Sequence, residues 1–595
     1  MNEAVAQRRE DLPSDSKFLS DWQVHCAHLV CSAIADKAQK SPVDAGARYI
    51  PFPTGSGKTV GAIWGIVQVA KEHPDKRICF LTPYQTAVDR VHADLVRYLG
   101  ADVVGMYHGE AFVDKEDELA KRVVVLTHQF IQYNKGALDD RDIFVIDEAI
   151  YATAQVSLKL TDFAAALDWA TSQGVLADEF KKAHDFAVKM YGAINPDTNA
   201  RFFAAPKATD LSWAKAISDY DLAGRIGQTI SSREDVAAVQ IFCEALLLGL
   251  VFLDRGNSTD PNKYSPTFNA AILGLPKLES TIILTATGGL VYDIAGTIQE
   301  SHWSKRHGVP ATYDDVTLMA LPDPDIKGQY KTWGTPPTTT KVTDYLDWLL
   351  KEMKESEAYV STPRVVYDKC LRDYFGLGKG ELTFPQKVVK HGKTLHLSHH
   401  QLSIGTNDFK DCPAVIYLWP NHLPKRVILQ EKTALEGERL TDKELSFPNS
   451  RQETGPFERM RDAKYVDNII QQMGRGSIRQ ITENGKAGKM TAYLLVRPDD
   501  MSYLKLVMPS ARTSSLSGNG IIKKPTGRLA RLIECLKDKR GVDVSIGDAK
   551  SATGIEAKYI KETAENHEWV IERLGYQFQP GERGRGKAGS FTWVG

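Results

Sequence analysis

Two clusters of residues have the types and spacing needed to handle a phosphoryl group. The first is Pro53-Thr54-Gly55-Ser56-Gly57-Lys58-Thr59, which follows the short apolar lead 49–52 and precedes the apolar, helix-like run 60–67. Strand, glycine-rich loop and helix form the context a phosphate cradle requires. Gly55 and Gly57 let the backbone turn tightly so that successive N–H groups face a polyphosphate, and the helix adds its positive end. Lys58 is placed to reach the terminal phosphates, and the Thr59 hydroxyl to ligate Mg²⁺. The second cluster is the acidic pair Asp147-Glu148, which ends the apolar run 143–146. With a phosphate loop upstream, Asp147 suits the metal that bridges the phosphates, and Glu148 suits orienting and deprotonating an attacking water. The chemistry implied is hydrolysis of a nucleoside triphosphate, with ATP and Mg²⁺ as cofactors.

These residues need a rigid frame. The runs 77–83, 122–128 and 143–149 are nearly continuous in apolar residues and alternate with helical segments, which predicts a parallel sheet covered on both faces. Ligands of such sheets sit at the carboxyl ends of the strands, where Thr82, Thr127, Asp147 and Glu148 fall. Upstream, residues 18–38 show helical spacing with Trp22 and Gln23 near the start. Gln23 is either a reader of the adenine edge or a solvated helix residue.

The segment 151–278 interrupts the sheet pattern and is expected to be a mostly helical insertion. Within it the apolar run Ala245 to Leu253 reads as the buried face of a helix. The sheet pattern resumes over 280–289. Prolines at 310, 322, 324, 336 and 337 mark 305–340 as a linker, and a second α/β pattern follows over 341–500. In that half stands Gln471-Gln472-Met473-Gly474-Arg475-Gly476-Ser477-Ile478-Arg479, whose arginines, taken alone, read as a basic turn.

Composition sets limits. A chain of 595 residues with 42% hydrophobic and 25% charged content holds several globular domains. Its net charge of −1 is neutral on nucleic-acid binding, since a basic surface can hide in a balanced total. The seven cysteines are scattered, with no CxxC pair to suggest a zinc ribbon or an iron–sulfur cluster, and fit reduced thiols in a cytoplasmic protein. No apolar run is long enough to span a bilayer.

Taken together the motifs resemble those of superfamily 2 helicases, the DEAD/DEAH-box-like ATPases. The loop is similar to motif I, Leu81-Thr82-Pro83 to motif Ia, and Asp147-Glu148-Ala149-Ile150 to the DEAx box of motif II. Leu284-Thr285-Ala286-Thr287 resembles motif III, Gly405-Thr406-Asn407 motif V, and Gln471 through Arg479 motif VI. The resemblance implies two RecA-like P-loop domains, 18–150 with 279–304 and 341–500, closing on ATP with nucleic acid crossing both. It assigns Thr82, Pro83, Thr127, Gly405 and Thr406 to nucleic acid, and Thr285 and Thr287 to coupling. Arg475 and Arg479 are then expected to stabilise transition-state charge from the second domain. Two departures stand out. Residue 150 is Ile where these boxes usually carry His or Asp, and Arg479 lies one residue further from Gly474-Arg475 than is usual.

After a polar stretch at 501–525, read as a second linker, residues 526–595 alternate helical faces and end in two short strands around a basic tip. The pattern resembles a C-terminal winged helix: a helix over 556–574 that could enter a major groove, and Arg583, Arg585 and Lys587 placed to touch phosphates. The implied activity is an ATP-dependent DNA helicase or translocase. An RNA-directed helicase and a DNA-binding regulator switched by ATP are the alternatives; a terminase-like packaging motor would require an acidic nuclease cluster near the C-terminus.

Overall fold

The computed structural model describes residues 19–38, 48–111, 113–133, 137–148, 153–193, 202–205, 210–220, 231–255, 266–273, 280–286, 311–322, 338–377, 386–400, 409–419, 425–441, 445, 456–496, 498–516, 528–566, 571–572, 574–581 and 589–594. Two parallel sheets organise it. The first runs β1 (Arg48–Pro51), β10 (Thr281–Thr285), β5 (Ile143–Asp147), β2 (Ile78–Thr82), β4 (Val123–Thr127) and β3 (Val104–Tyr107) in that spatial order, every neighbouring pair parallel. The loop of the phosphate cradle therefore leaves an edge strand, while the acidic pair ends a central one.

Alternation along these strands explains how continuous apolar runs are used. Ile78, Phe80, Val123, Val125, Ile143 and Val145 face one side, where they pack with α1 (Asp21–Ala38), α2 (Lys58–Glu72) and α3 (Gln85–Leu99). Cys79, Leu81, Val124, Leu126, Phe144 and Ile146 face the other side. That side is covered from far along the chain, by Phe202 and Phe252 of the insertion and by Ile428 and Leu429 of α4 (Lys425–Glu436). Burial on both faces is what selects β-branched and aliphatic residues without polar alternation.

The segment after Glu148 adds an antiparallel sheet to the expected mostly helical insertion. It has four described helices, Leu160–Gln173, Ala177–Gly192, Ser212–Ser218 and Ser231–Leu247, but also an antiparallel sheet. Its strands β6 (Thr153–Leu158), β9 (Thr267–Leu273), β8 (Val251–Asp254) and β7 (Phe202–Ala204) lie in that order. The apolar run at 245–253 is thereby split rather than forming one helical face. Gly249, at φ 77°, ends the helix while Leu250 N–H donates to the Ala245 carbonyl at 2.8 Å, and the chain re-emerges as β8. A left-handed glycine just past a helix is a stop that apolar counting alone does not register.

The second sheet runs β13 (Gln386–Lys390), β14 (Lys393–His399), β12 (Glu357–Thr362), β15 (Ala414–Leu418), β16 (Met490–Leu495), β11 (Val316–Ala320) and β17 (Arg512–Ser515). Only β13 is antiparallel to its neighbour. Both expected linkers are corrected here: 305–340 contains β11, and 501–525 contains β17. β11 is a five-residue strand hemmed by prolines, and β17 is a polar, half-exposed edge, so neither offers a periodic signal long enough to read. The helix α5 (Pro456–Met473) packs on this sheet and leads into the Arg475 turn.

Beyond it, helices Arg528–Asp538, Ile546–Thr553 and Ala557–Asn566 enclose a small core with the antiparallel strands β18 (Val544–Ser545), β20 (Ser590–Trp593) and β19 (Tyr576–Gln579). The tip residues Arg583, Arg585 and Lys587 lie outside the described residues, and so does 567–570 of the helix expected over 556–574.

Candidate nucleotide and nucleic-acid site

The phosphate loop closes as a turn, with Ser56 N–H donating to the Pro53 carbonyl at 3.2 Å. Gly55 and Gly57 stand at φ 83° and 82°, the left-handed region that side chains disfavour. Gly55 is needed for a second reason: a Cβ there would collide with the Arg479 carbonyl, so its bare backbone is what lets the second sheet's arginine turn approach the loop. Gly474 answers from the other side, where an added Cβ would stand 2.8 Å from Thr54 Oγ1.

Lys58 begins α2 and turns back to donate to the carbonyls of Phe52 and Pro53 at 2.8 and 3.0 Å. Burial lowers its pKa to about 8, with Arg479 adding to the shift and Asp147 and Glu148 opposing it. Thr59 Oγ1 donates to Asp147 Oδ2 at 3.1 Å, joining the first residues of the helix to the end of β5. Burial, and then the charge of Glu148, push the Asp147 carboxyl well above its ordinary range, while Lys58 and the Thr59 hydroxyl pull the other way. Burial and a neighbouring carboxylate both disfavour the charged form of Asp147, and a divalent cation bound there would offset them.

Glu148 occupies φ 57°, an uncommon backbone state for a residue with a long side chain. Its N–H is tied to the Leu284 carbonyl at 3.0 Å, so β10 holds the bend that follows β5. Its buried Oε2 has no hydrogen-bond partner, and neither has the buried Ser56 Oγ of the loop. Glu148 lines a cavity, and an orphaned polar atom there marks where a ligand atom or water belongs. A cavity of about 390 Å³ is lined by Thr54, Gly55, Gly57, Lys58, Thr59, Asp147 and Glu148 from the first sheet, and by Arg475 and Arg479 from the second. The loop, the Thr59–Asp147 pair and the orphaned Glu148 oxygen together fit a nucleoside triphosphate with Mg²⁺.

The longer spacing in the arginine segment is absorbed by a 3₁₀ turn over Ser477–Arg479, which brings Arg479 back to the cavity beside Arg475. Arg475 is 3% exposed. Burial, and then the charge of Arg475, lower the Arg479 pKa to about 10. Behind the turn, Gln472 is fully buried in a polar network. Its Oε1 accepts from Tyr359 and Ser361 at 2.9 Å each, and its Nε2 donates to the His400 carbonyl at 3.2 Å.

Gln23 is bound within the protein. Its Nε2 donates to the Gly55 carbonyl at 2.6 Å, and its Oε1 accepts from Ser20 N–H at 2.8 Å. Ser20 and Gln23 thus form a capping box on α1, and the glutamine braces the phosphate loop from behind.

Thr82 and Pro83, expected against nucleic acid, line the same cavity, because β2 lies next to β5 in the sheet and their ends share one rim. Thr127 ends β4 and does not line it. Thr285 is buried beside Pro51 and next to the Leu284–Asp147 register, and the adjoining Ala286 reaches the cavity. Thr287, Gly405 and Thr406 lie outside the described residues.

Three residues were not expected. Arg90 and Asp94 on α3 line the cavity, and the Arg90 charge acts on both Asp147 and Arg479. Their signal is helical: Pro83, Ala87, Arg90 and Asp94 recur at intervals of four, three and four, which puts them on one face. The third is His128, the first residue after β4. Burial lowers its pKa to about 4, against hydrogen bonds to the backbone at Leu81 and Asp147, so a neutral imidazole sits under the rim.

Residues 42–162 match the sequence model of the DEAD/DEAH box helicase family. The matched segment holds both the phosphate loop and the Asp147–Glu148 pair that line the cavity. No curated protein matches the sequence. Among solved structures, S. tokodaii Xpd4 is 11% identical with a TM-score of 0.41, over 83% of this chain and 99% of that one. The DUF1998 helicase MrfA bound to DNA is 11% identical with a TM-score of 0.33, over 95% of this chain and 57% of that one. S. cerevisiae Dbp5 bound to RNA and ADP BeF3 is 10% identical with a TM-score of 0.34, over 79% of this chain and 85% of that one. Among the described residues no helix is long and apolar enough to cross a membrane.

Proposed function

We propose that this chain is an ATP-hydrolysing helicase that works as a DNA motor, with its ATP site shared between its two parallel sheets. What carries the reading is that Lys58, Glu148, Arg475 and Arg479, drawn from both sheets, line one cavity. The loop backbone and Lys58 would bind the phosphates, and Thr59 and Asp147 would hold Mg²⁺, which would neutralise charge on the bridging phosphate oxygens. Glu148 orients a water and takes its proton, and Arg475, with Arg479 beside it, stabilises the charge that develops on the transferred phosphoryl group. Because the arginines sit on the second sheet, their contacts with the γ-phosphate vanish after hydrolysis. That loss is what lets the sheets separate and step along a strand.

DNA is favoured over RNA by the C-terminal unit, whose three helices followed by two antiparallel strands have the order of a winged helix. The test compares steady-state ATP hydrolysis with no polymer, single-stranded DNA, duplex DNA and RNA. Stimulation by DNA exceeding that by RNA is expected. Equal or greater stimulation by RNA would overturn the choice of DNA, and hydrolysis indifferent to every polymer would favour an ATP-switched regulator.

The depressed Lys58 pKa gives the site a pH dependence of defined sign. ATP binds the ammonium form, so affinity holds below about pH 8 and falls as pH rises through that value, by up to about tenfold per pH unit. Stability of the ligand-free protein moves the opposite way: between about 8 and the ordinary 10.5 the unfolded chain binds the extra proton, so rising pH favours the fold. Titrating binding of a fluorescent ATP analogue at constant ionic strength checks this, with Lys58→Arg expected to show no such fall.

A further inference from the structure

A second cluster of ligating side chains lies in the other sheet, behind the arginine turn. Glu357 begins β12, His396 lies on the neighbouring β14, and Cys412 precedes β15. His396 Nε2 and Glu357 Oε1 are 2.7 Å apart, and the Cys412 thiol completes a triad whose ligand atoms all lie within 4.8 Å of one another. Among the described residues this is the one group of three or more His, Cys, Asp or Glu side chains so arranged. Zinc is bound by this set of atoms, sulfur, imidazole nitrogen and carboxylate oxygen, with neighbouring ligands about 3.4 Å apart in a tetrahedron. The triad therefore needs only a small opening of the His396–Glu357 pair and a small inward shift of the thiol.

The surroundings point the same way. Cys412 is buried, which shields its sulfur from solvent. Phe409 packs against His396 with ring centroids 5.7 Å apart and stacks on Tyr359 at 4.4 Å, walling one side. Glu357 remains 39% exposed in its side chain, leaving solvent access for a fourth, water ligand.

We propose that Glu357, His396 and Cys412 form a zinc site, with the thiol proton released to solvent on binding. The site touches the ATPase machinery through two bonds. The Cys412 carbonyl accepts from Ser477 N–H at 3.0 Å, and Asp411 Oδ1 accepts from Gln480 Nε2 at 2.6 Å. Ser477 and Gln480 bracket the turn that carries Arg479, so a bound ion fixes the segment from which the arginines reach the nucleotide. This inference stands on its own geometry and does not depend on the choice of DNA.

Cobalt(II) titration of the metal-stripped full-length protein is the test, because a thiolate-to-cobalt charge-transfer band reports sulfur ligation without reference to activity. A single ion per chain with that band is expected, displaced by added zinc and absent in Cys412→Ser. His396→Ala should weaken binding at least about tenfold, with the far-UV circular dichroism of the unmodified chain retained. Absence of the band in the unmodified chain, or a band that persists in Cys412→Ser, would overturn the proposal and leave an ion pair beside a buried thiol.

Discussion

Glu148→Gln should reduce ATP turnover by about 10²–10⁴-fold, the range for removing a positioned general base, while ATP binding changes by no more than a few fold. The substitution keeps shape and volume, so the left-handed bend at φ 57° and the N–H bond to Leu284 are retained. It removes the ability of the buried, partnerless Oε2 to take a proton from water. It also removes one of the charges raising the Asp147 carboxyl, which makes Asp147 a more willing metal ligand. Single-turnover hydrolysis alongside equilibrium binding of an ATP analogue separates the two quantities. A turnover close to that of the unmodified protein would exclude Glu148 as the base.

Arg475→Ala should cost about 10³–10⁵-fold in kcat, the effect of an arginine finger, equivalent to about 4–7 kcal/mol of transition-state stabilisation. The side chain lines the cavity from the second sheet, so the loss should fall on kcat rather than on ATP affinity, which rests mainly on the loop and Lys58. Arg475→Lys should recover little, since an ammonium on a flexible stem does not reproduce a planar fork of donors. Arg479 shares the cavity, its pKa lowered by burial and then by the charge of Arg475, and Arg479→Ala should cost less. A KM effect without a kcat effect in Arg475→Ala would contradict the assignment.

What the sequence disclosed depends on how local each feature is. The phosphate loop and the acidic pair were legible because each is a strand end running directly into a turn, with glycine or carboxylate at the only place it can act. The arginines were legible as a site only through their order after those motifs, since nothing local distinguishes Arg475 from a solvated basic residue; the structure supplies the Gly55–Arg479 and Gly474–Thr54 approaches that place them. Arg90 and Asp94 line the cavity from one face of α3, a periodicity that does not by itself say what the face meets, and His128 lies against the ends of β2 and β5 by an adjacency that chain order does not reveal. The strands β11 and β17 were masked by prolines and by an exposed polar edge. The Glu357–His396–Cys412 triad is illegible in principle from spacing, because two members come from strands and the third from the turn before another, brought together only by the order β14-β12-β15.

The central claim is that hydrolysis at the shared cavity drives movement along a strand. The most direct measurement is the ATPase rate at saturating concentrations of single-stranded DNA of increasing length. A motor that travels before dissociating gives a rate that rises with length and then levels off, with Glu148→Gln flat at the baseline. A rate that is the same for every strand long enough to fill the binding site would contradict movement and leave a hydrolytic switch.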